Sequence, residues 1–295
     1  MERITKPRAG SGKEAIGPKI VYLIGAGHCG STLLSLALDQ HSDVVSVSEI
    51  VGLNARTNGY AGEQDLRENE FWSRVAERYQ RDHGESFWSV PFASPRKTSS
   101  FSEDEWARQN YNAYFSIAKT AGVSVIVDAS KQPRRLEVLL KEKKINIRVI
   151  YLVRDARAIV HSYERKYKSL WRGFRQIERL DRRARSVKRR FSDVPWMTLR
   201  YEDMTGDLDG TVRKISDFCE TTFQDGMLRP NTDGFNGVGG NRMRDKPVKK
   251  IETDMTWKRE MATWKKLLVG LLMQGYQVRL GYSVLTRTFW KGRFE

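Results

Sequence analysis

The sequence has few of the features that stabilise or anchor a secreted or membrane protein. Its two cysteines, Cys29 and Cys219, are too few for a disulfide framework, and Cys29 stands in a glycine-rich turn where a structural bridge would be awkward. No apolar run approaches the about 20 residues that cross a bilayer, and the start MERITKPRAGSGKEAIG lacks the apolar middle of a signal peptide. These absences predict a cytoplasmic protein with no transmembrane segment. Residues 1–17 are expected to be a flexible basic tail, and the short run LLVGLLM (267–273) a buried helix.

Acidic residues are scarce relative to basic ones. The chain has 36 Asp and Glu against 52 Lys and Arg, a formal net charge of +16. Such a field concentrates anions near the surface and favours phosphate, sulfate, polyanion or nucleic-acid partners, without choosing among them. The four histidines show no metal-ligand spacing with the two cysteines, so no metal site is expected.

The apolar pattern alternates between strand-like and helix-like segments. This alternation predicts an α/β domain over residues 18–295, with a mainly parallel sheet and crossover helices. An insertion at about 54–121 is expected to cover the site with helices near 67–81 and 103–121, and its aromatic residues either line an acceptor pocket or pack in the core. The predicted strands are 19–24, 44–47, 123–128, 145–153 and 196–200; the other predicted helices are 31–40, 133–143, 155–170, 207–221 and one from Thr253, as its cap, to about Gly275.

The stretch GAGHCGST (25–32) lies between the first predicted strand and the first predicted helix. Its glycines allow a tight turn whose N–H groups point inward, and the start of the helix adds the positive end of its dipole, so the stretch predicts an anion cradle. The spacing G-x-x-x-x-G-S-T is that of a nucleotide-triphosphate loop, but Ser31 stands where such loops have lysine. The missing lysine opposes a kinase or nucleotide hydrolase, and a tight turn without a ligand is the alternative.

A second candidate anion site follows the fourth predicted strand in YLVRDARAIVHSY (151–163). Arg154 stands at the mouth of a helix and Ser162 eight residues later, so both can contact one phosphate. Arginine suits phosphate because its planar fork donates two hydrogen bonds at once. Taken alone, an ion pair between Arg154 and Asp155 at the start of a helix explains the same residues.

Four segments in this order resemble the sulfotransferases that use 3′-phosphoadenosine 5′-phosphosulfate: the strand, loop and helix of 19–40, LVRDARAIVHSY (152–163), LRYEDM (199–204) and GVGGNRMR (237–244). The resemblance implies a three-layer, P-loop-like α/β fold. It also implies donor-binding roles. By this resemblance, the 5′-phosphosulfate loop is formed by Gly27, His28, Cys29, Gly30, Ser31 and Thr32, and the 3′-phosphate is held by Arg154 and Ser162. Tyr201 supports the site, and a late basic loop that closes over the nucleotide contains Asn241, Arg242 and Arg244.

The loop pattern looks most like that of tyrosylprotein and bacterial sulfotransferases. In that pattern a basic residue begins the loop and a glutamate follows twenty-one residues later, which places His28 at the basic position and Glu49 at that of the general base. VDASKQP (127–133) resembles a segment whose lysine contacts the transferring sulfonate, here Lys131. Family members usually have Lys or Arg where this chain has His28, and a histidine is a cation only when it is protonated. The catalytic cation is therefore His28, Lys131 or both.

The resemblance predicts in-line transfer of a sulfonate group from 3′-phosphoadenosine 5′-phosphosulfate to a hydroxyl or amine of a small-molecule acceptor, with no metal. An oligosaccharide, a lipid-linked molecule or a peptide tyrosine is an alternative acceptor, and a nucleic-acid-binding or non-catalytic P-loop-like protein is the alternative from another class. The basic run WRGFRQIERLDRRARSVKRR (171–190) fits an amphipathic surface helix, a surface for an acidic acceptor or a membrane, or a nucleic-acid site.

Overall fold

The computed structural model describes residues 17–53, 66–95, 101–240, 248 and 251–283. The predicted basic tail lies outside the described residues except for Gly17, and so do Asn241, Arg242 and Arg244 of the predicted late loop. None of the helices in these ranges is long and apolar enough to cross a membrane.

In the described part of the chain, five parallel strands form one sheet in the order β2-β3-β1-β4-β5. All the strands predicted from the sequence are confirmed, with bounds that differ by no more than two residues. They are β1 (Lys19–Ile24), β2 (Val44–Ser48), β3 (Val125–Asp128), β4 (Ile147–Val153) and β5 (Trp196–Arg200). The central strand β1 alternates between the two faces, with Ile20, Tyr22 and Ile24 in the core of one face and Val21 and Leu23 in that of the other.

Helices cover both faces of this sheet, which explains why its inner strands read as nearly continuous apolar runs. They are α1 (Ser31–Asp39), α2 (Glu70–His83), α3 (Glu103–Ala121), α4 (Pro133–Leu139), α5 (Ala156–Tyr167), α6 (Leu170–Arg190), α7 (Tyr201–Gly206), α8 (Leu208–Cys219), α9 (Thr256–Glu260), α10 (Thr263–Leu272) and α11 (Gln274–Arg279). The chain runs from β1 toward β2 on one side of the sheet and from β4 toward β5 on the other. Such a reversal opens a crevice at the carboxyl ends of β1 and β4, where α/β proteins bind ligands.

The described helices of the insertion, α2 and α3, pack against one face of the sheet. Trp72, Phe87 and Phe92 are fully buried in the same core as β1, and Phe71 and Trp88 pack against it. Core packing therefore accounts for these aromatic residues. In this part of the insertion, residues 93–95 reach the side of the sheet where the predicted site lies.

The single helix predicted from Thr253 to about Gly275 is wrong. The chain forms α9, α10 and α11 instead, broken by extended backbone at Met261 and Ala262. The Thr253 hydroxyl does not cap a helix, because α9 begins only after Met255; it lies 2.7 Å from the Thr205 hydroxyl on α7 instead. These breaks follow from packing against other elements, which local propensity does not report.

The run LLVGLLM is helical but only partly buried, so the prediction of a buried helix is correct for one face alone. Val269 and Met273, four residues apart, are buried, whereas Leu271 and Leu272 are more than half exposed. A helix in contact with its neighbours on one side buries positions at a spacing of three or four and leaves the rest in solvent.

A fully buried ion pair joins α4 to the end of β3. Arg135 and Asp128 have no exposed side-chain surface, and Arg135 Nη2 lies 3.3 Å from Asp128 Oδ2. Arg135 Nη1 also donates to Asn110 Oδ1 at 2.6 Å, and the Tyr114 hydroxyl donates to Asp128 Oδ2 at 2.5 Å. These contacts supply the partners that a buried charge requires.

We expect Arg135→Met to lower the free energy of unfolding by about 3–5 kcal/mol, because it leaves the Asp128 carboxylate buried without its cation. Urea unfolding measures this loss. The matched control is Arg134→Met, since the neighbouring arginine is partly exposed and its ion pairs with Glu103 and Glu137 lie near the surface. That change is expected to cost about 1 kcal/mol or less, and equal losses in the two variants would contradict the assignment.

Candidate active site

The glycine-rich loop joins β1 to α1 in a tight turn. Residue 30 has a φ of 95°, and a Cβ there would lie 2.5 Å from the Tyr201 ring, so glycine is required at this position. A Cβ at Gly25 would lie 2.5 Å from the carbonyl oxygen of Leu152 on β4. Helix α1 begins directly after Gly30, with its amino end toward the crevice. A tight glycine turn directly before the start of a helix is the local arrangement that the predicted anion cradle requires.

The predicted site residues that the structure describes converge on one cavity of about 550 Å³. Cys29 is the exception, since its side chain is buried in the core beside α1 and burial raises the pKa of its thiol. A buried thiol with a raised pKa is a poor nucleophile, so only the backbone of Cys29 is available to a ligand. The predicted residues that line the cavity are Gly27, His28, Gly30, Ser31, Thr32, Glu49, Lys131, Arg154, Ser162 and Tyr201.

Arg154 is almost completely buried, at 5% exposure, at the carboxyl end of β4. Its Nη1 donates to the His28 carbonyl oxygen at 2.9 Å, its Nη2 donates to Asp254 Oδ2 at 2.9 Å, and its guanidinium lies 4.2 Å from the centre of the Tyr201 ring. Among the described residues, its Nε has no hydrogen-bond partner. The ion pair with Asp155 that the sequence left open is not formed, because Asp155 pairs with Arg157.

Asp254 is a site residue that the sequence did not reveal. It lies one hundred residues from Arg154 in a segment without a recognisable motif. Burial alone would raise the pKa of Asp254, but hydrogen bonds from Thr256 and Arg154 lower it to about 2. Asp254 is therefore a carboxylate at neutral pH and neutralises part of the charge of Arg154.

Glu49 and Lys131 are in direct contact although they are 82 residues apart in the chain. Lys131 Nζ donates to Glu49 Oε1 at 2.6 Å and to Ser31 Oγ at 3.1 Å. Glu49 follows β2 and Lys131 follows β3, and these two strands are neighbours in the sheet. Because the strands are parallel, both residues emerge at the same edge, beside the first residue of α1. A cation and a carboxylate thus lie together at the mouth of the anion cradle.

Hydrogen bonds between side chains and the backbone hold the turn that carries Lys131. Asp128 Oδ1 accepts from the Ser130 amide at 2.8 Å, and the Tyr22 hydroxyl donates to the Gln132 carbonyl oxygen at 3.1 Å. Lys131 itself has a φ of 59°, in the left-handed region that non-glycine residues rarely adopt. The buried pair of Arg135 and Asp128 therefore also positions the lysine at the site.

His28 lies against aromatic rings, with ring centroids 5.2 Å from Tyr163 and 6.3 Å from Tyr167. Burial, together with the positive charges of Lys166, Lys131 and Arg154, lowers the pKa of His28 from 6.5 to about 4. At neutral pH, in the protein by itself, His28 is uncharged while Lys131 forms an ion pair with Glu49.

This lowered pKa predicts a pH dependence of stability. Between pH 6.5 and about 4 the unfolded chain binds a proton at His28 that the folded protein does not, so the free energy of unfolding falls as the pH is lowered through this range. We expect His28→Gln to reduce that loss. Urea unfolding of the two proteins at several pH values measures it, and a difference between them that stays constant from neutral pH to pH 4 would contradict the prediction.

Comparisons with known proteins identify the fold. The sulfotransferase domain from the curacin biosynthetic pathway is 16% identical to this chain, with a TM-score of 0.56 over 91% of this chain and 99% of that one. Sulfotransferase STF9 from Mycobacterium avium is 11% identical, with a TM-score of 0.52 over 92% of this chain and 79% of that one. At these identities the likeness concerns the fold, which is the P-loop-like α/β fold of sulfotransferases.

In sequence comparison the chain matches a protein-family model. No curated protein sequence matches the chain significantly. The model of the sulfotransferase family matches residues 18–225, well over half of the chain. The match includes β1–β5, the glycine-rich loop and the three candidate catalytic residues His28, Glu49 and Lys131. The chain therefore belongs to the sulfotransferase family.

Proposed function

We propose that the protein transfers a sulfonate group from 3′-phosphoadenosine 5′-phosphosulfate to a hydroxyl or amine of a small-molecule acceptor. The observation that carries the proposal is the position of Lys131 Nζ, within hydrogen-bond distance of both Ser31 at the glycine loop and the Glu49 carboxylate. One cavity thus contains the loop proposed to bind anions, the cation Lys131 and the base Glu49. These are the three components that in-line transfer of a charged group requires.

The lining of the cavity provides backbone, hydroxyl and cationic groups that suit a donor carrying phosphates. The loop amides and the amino end of α1 form the place for the 5′-phosphosulfate. Arg154 and Ser162 line the same cavity and would hold the 3′-phosphate. Gly240 and Val248, which flank the predicted residues Asn241, Arg242 and Arg244, also line the cavity, and this supports a donor-binding role for that loop.

In the proposed reaction Glu49 accepts the proton of the acceptor hydroxyl or amine as its oxygen or nitrogen forms a bond to sulfur. The bond between sulfur and the bridging oxygen of the donor breaks, and adenosine 3′,5′-bisphosphate leaves. Lys131 and the loop amides stabilise the charge that develops on the departing phosphate. Because His28 is neutral in the protein by itself, we assign the cationic role to Lys131.

A thermal-shift titration tests the proposal. Adenosine 3′,5′-bisphosphate is expected to stabilise the protein in proportion to the logarithm of its concentration over Kd, by about 2.7 kcal/mol at one hundred times Kd. ATP is the comparison ligand, since the loop has no triphosphate lysine. Stabilisation by ATP but not by the bisphosphate would overturn the proposal.

The clamp is tested by Arg154→Ala. We expect the bisphosphate to bind about 10- to 150-fold more weakly to this variant, the loss of hydrogen bonds from a charged group. Isothermal titration calorimetry measures the affinity. The matched control is Asp254→Asn, which removes the carboxylate partner of Arg154 and should leave the affinity unchanged or higher, because the phosphate no longer competes with it. Unchanged affinity in Arg154→Ala would remove this residue from the clamp.

A further inference from the structure

A second cavity, of about 560 Å³, adjoins the proposed donor cavity. The two share Lys131, Gln132 and Gln176 in their walls. The second cavity therefore opens onto the side of Lys131 and Glu49, where the proposed transfer takes place. Its volume is within the range of about 300–1,000 Å³ that small-molecule sites occupy.

The walls of this second cavity come from three elements. Residues 93–95 of the insertion form one wall and are tied to the shared wall by the Ser94 hydroxyl, which donates to Gln132 Oε1 at 2.5 Å. Pro133 and Arg134 at the start of α4 form the second, and α6 the third. The lining includes Lys and Arg side chains, and none of the described residues in it is Asp or Glu.

The wall from α6 is a stripe of Gln176, Arg179, Leu180 and Arg183. Their spacing of three, four and seven residues places them on one face of the helix. Leu180 is buried and anchors the stripe, whereas Arg179 and Arg183 are exposed. The structure therefore directs two guanidinium groups at the second cavity.

Among the described residues, Arg179 and Arg183 have no carboxylate partner of the kind that Arg182 and Arg185 have. On other faces of α6, Arg182 pairs with Glu178 at 3.7 Å and Arg185 with Asp181 at 3.1 Å, each at a spacing of four. In the part of the chain that the structure describes, no ion pair is formed by Arg179 or Arg183. Two like charges four residues apart destabilise a helix by a small amount, and an anion bound beside them would remove that repulsion.

The other two cations that line the second cavity already form ion pairs with carboxylates. Arg134 forms ion pairs with Glu103 and Glu137, and Lys131 pairs with Glu49. The uncompensated positive charge in the cavity therefore belongs to the α6 stripe. Arg179 and Arg183 line the second cavity but not the donor cavity, whereas Lys131 lines both.

We infer that the second cavity is the acceptor site and that it selects acceptors carrying an anionic group, such as a carboxylate, phosphate or sulfate, at a distance from the hydroxyl or amine to be sulfonated. The anion lies on Arg179 and Arg183, whose planar forks suit two-oxygen groups. This orients the acceptor with its nucleophile toward Glu49. The inference rests on the proposed function and names the acceptor class for it.

The test compares two probes of the same shape, 4-hydroxyphenylacetate and its neutral carboxamide. Their binding is measured by isothermal titration calorimetry with the protein saturated with adenosine 3′,5′-bisphosphate. We expect the carboxylate to bind about 10- to 100-fold more tightly than the amide. That preference should disappear in the double variant Arg179→Gln/Arg183→Gln.

The control double variant is Arg182→Gln/Arg189→Gln, which removes the same charge from the same helix but from residues outside the lining of this cavity. It should retain the preference. Equal binding of the two probes to the wild-type protein, or a preference that survives in Arg179→Gln/Arg183→Gln, overturns the inference. A further outcome is that the wild-type protein shows no carboxylate preference but sediments with vesicles of phosphatidylserine and phosphatidylcholine, and that Arg179→Gln/Arg183→Gln does not sediment with them. In that case the stripe is a membrane contact and the inference is wrong.

Binding of adenosine 3′,5′-bisphosphate separates this inference from the proposed function. If the bisphosphate stabilises the wild-type protein and both double variants but the probes do not differ, the acceptor assignment alone fails. If the bisphosphate does not bind the wild-type protein, the proposed function fails, and the acceptor assignment fails with it.

Discussion

Replacing Glu49 by glutamine is expected to lower kcat by about two to four orders of magnitude, the usual contribution of a positioned general base. Glutamine has nearly the same shape and can still accept a hydrogen bond from Lys131, but it cannot take a proton. Steady-state assay of sulfonate transfer measures the loss. Affinity for adenosine 3′,5′-bisphosphate should stay close to that of the wild-type protein, since Glu49 would act on the acceptor.

The matched control is Glu252→Gln, another carboxylate that lines the same cavity. It is expected to change kcat by no more than a few fold. If Glu49→Gln binds the bisphosphate normally and retains kcat within tenfold of the wild-type value, Glu49 is not the base.

Replacing Lys131 by methionine is expected to lower kcat by about two to three orders of magnitude, the typical effect of removing a group that stabilises charge in the transition state. Methionine preserves much of the length of the side chain but removes its charge. The comparison with His28→Gln decides which residue is the cation. We expect the smaller loss in His28→Gln, because His28 is neutral at the pH of the assay in the protein by itself.

Lys166→Met controls for the loss of any positive charge near the donor, since Lys166 lines the same cavity. Its effect on kcat should be slight. A larger loss of kcat in His28→Gln than in Lys131→Met would assign the role of catalytic cation to His28. Equal losses of kcat in Lys131→Met and Lys166→Met would mean that catalysis depends on the total positive charge of the cavity and not on Lys131 in particular.

Much of the fold could be predicted from local patterns. The strands and most helices follow from the period of apolar residues, which records which face each element buries. The glycine turn before α1 was also visible, because glycine at a left-handed position next to a helix start is a local property. At the C-terminal side the same reasoning was wrong, since Thr253 and Asp254 contact α7 and Arg154 instead of beginning a helix, and extended backbone at Met261 and Ala262 divides the segment that follows.

The sequence by itself determined the local elements: a glycine-rich turn at Gly25 to Ser31, an arginine at the end of β4, and a basic helix with a buried apolar stripe. Only the tertiary structure decided how they act together. Strand order placed Glu49 against Lys131, burial made His28 neutral, and the packing of α6 directed Arg179 and Arg183 at the second cavity. The physical reason is that contact between distant residues, and the desolvation that shifts a pKa, arise only when the chain is packed.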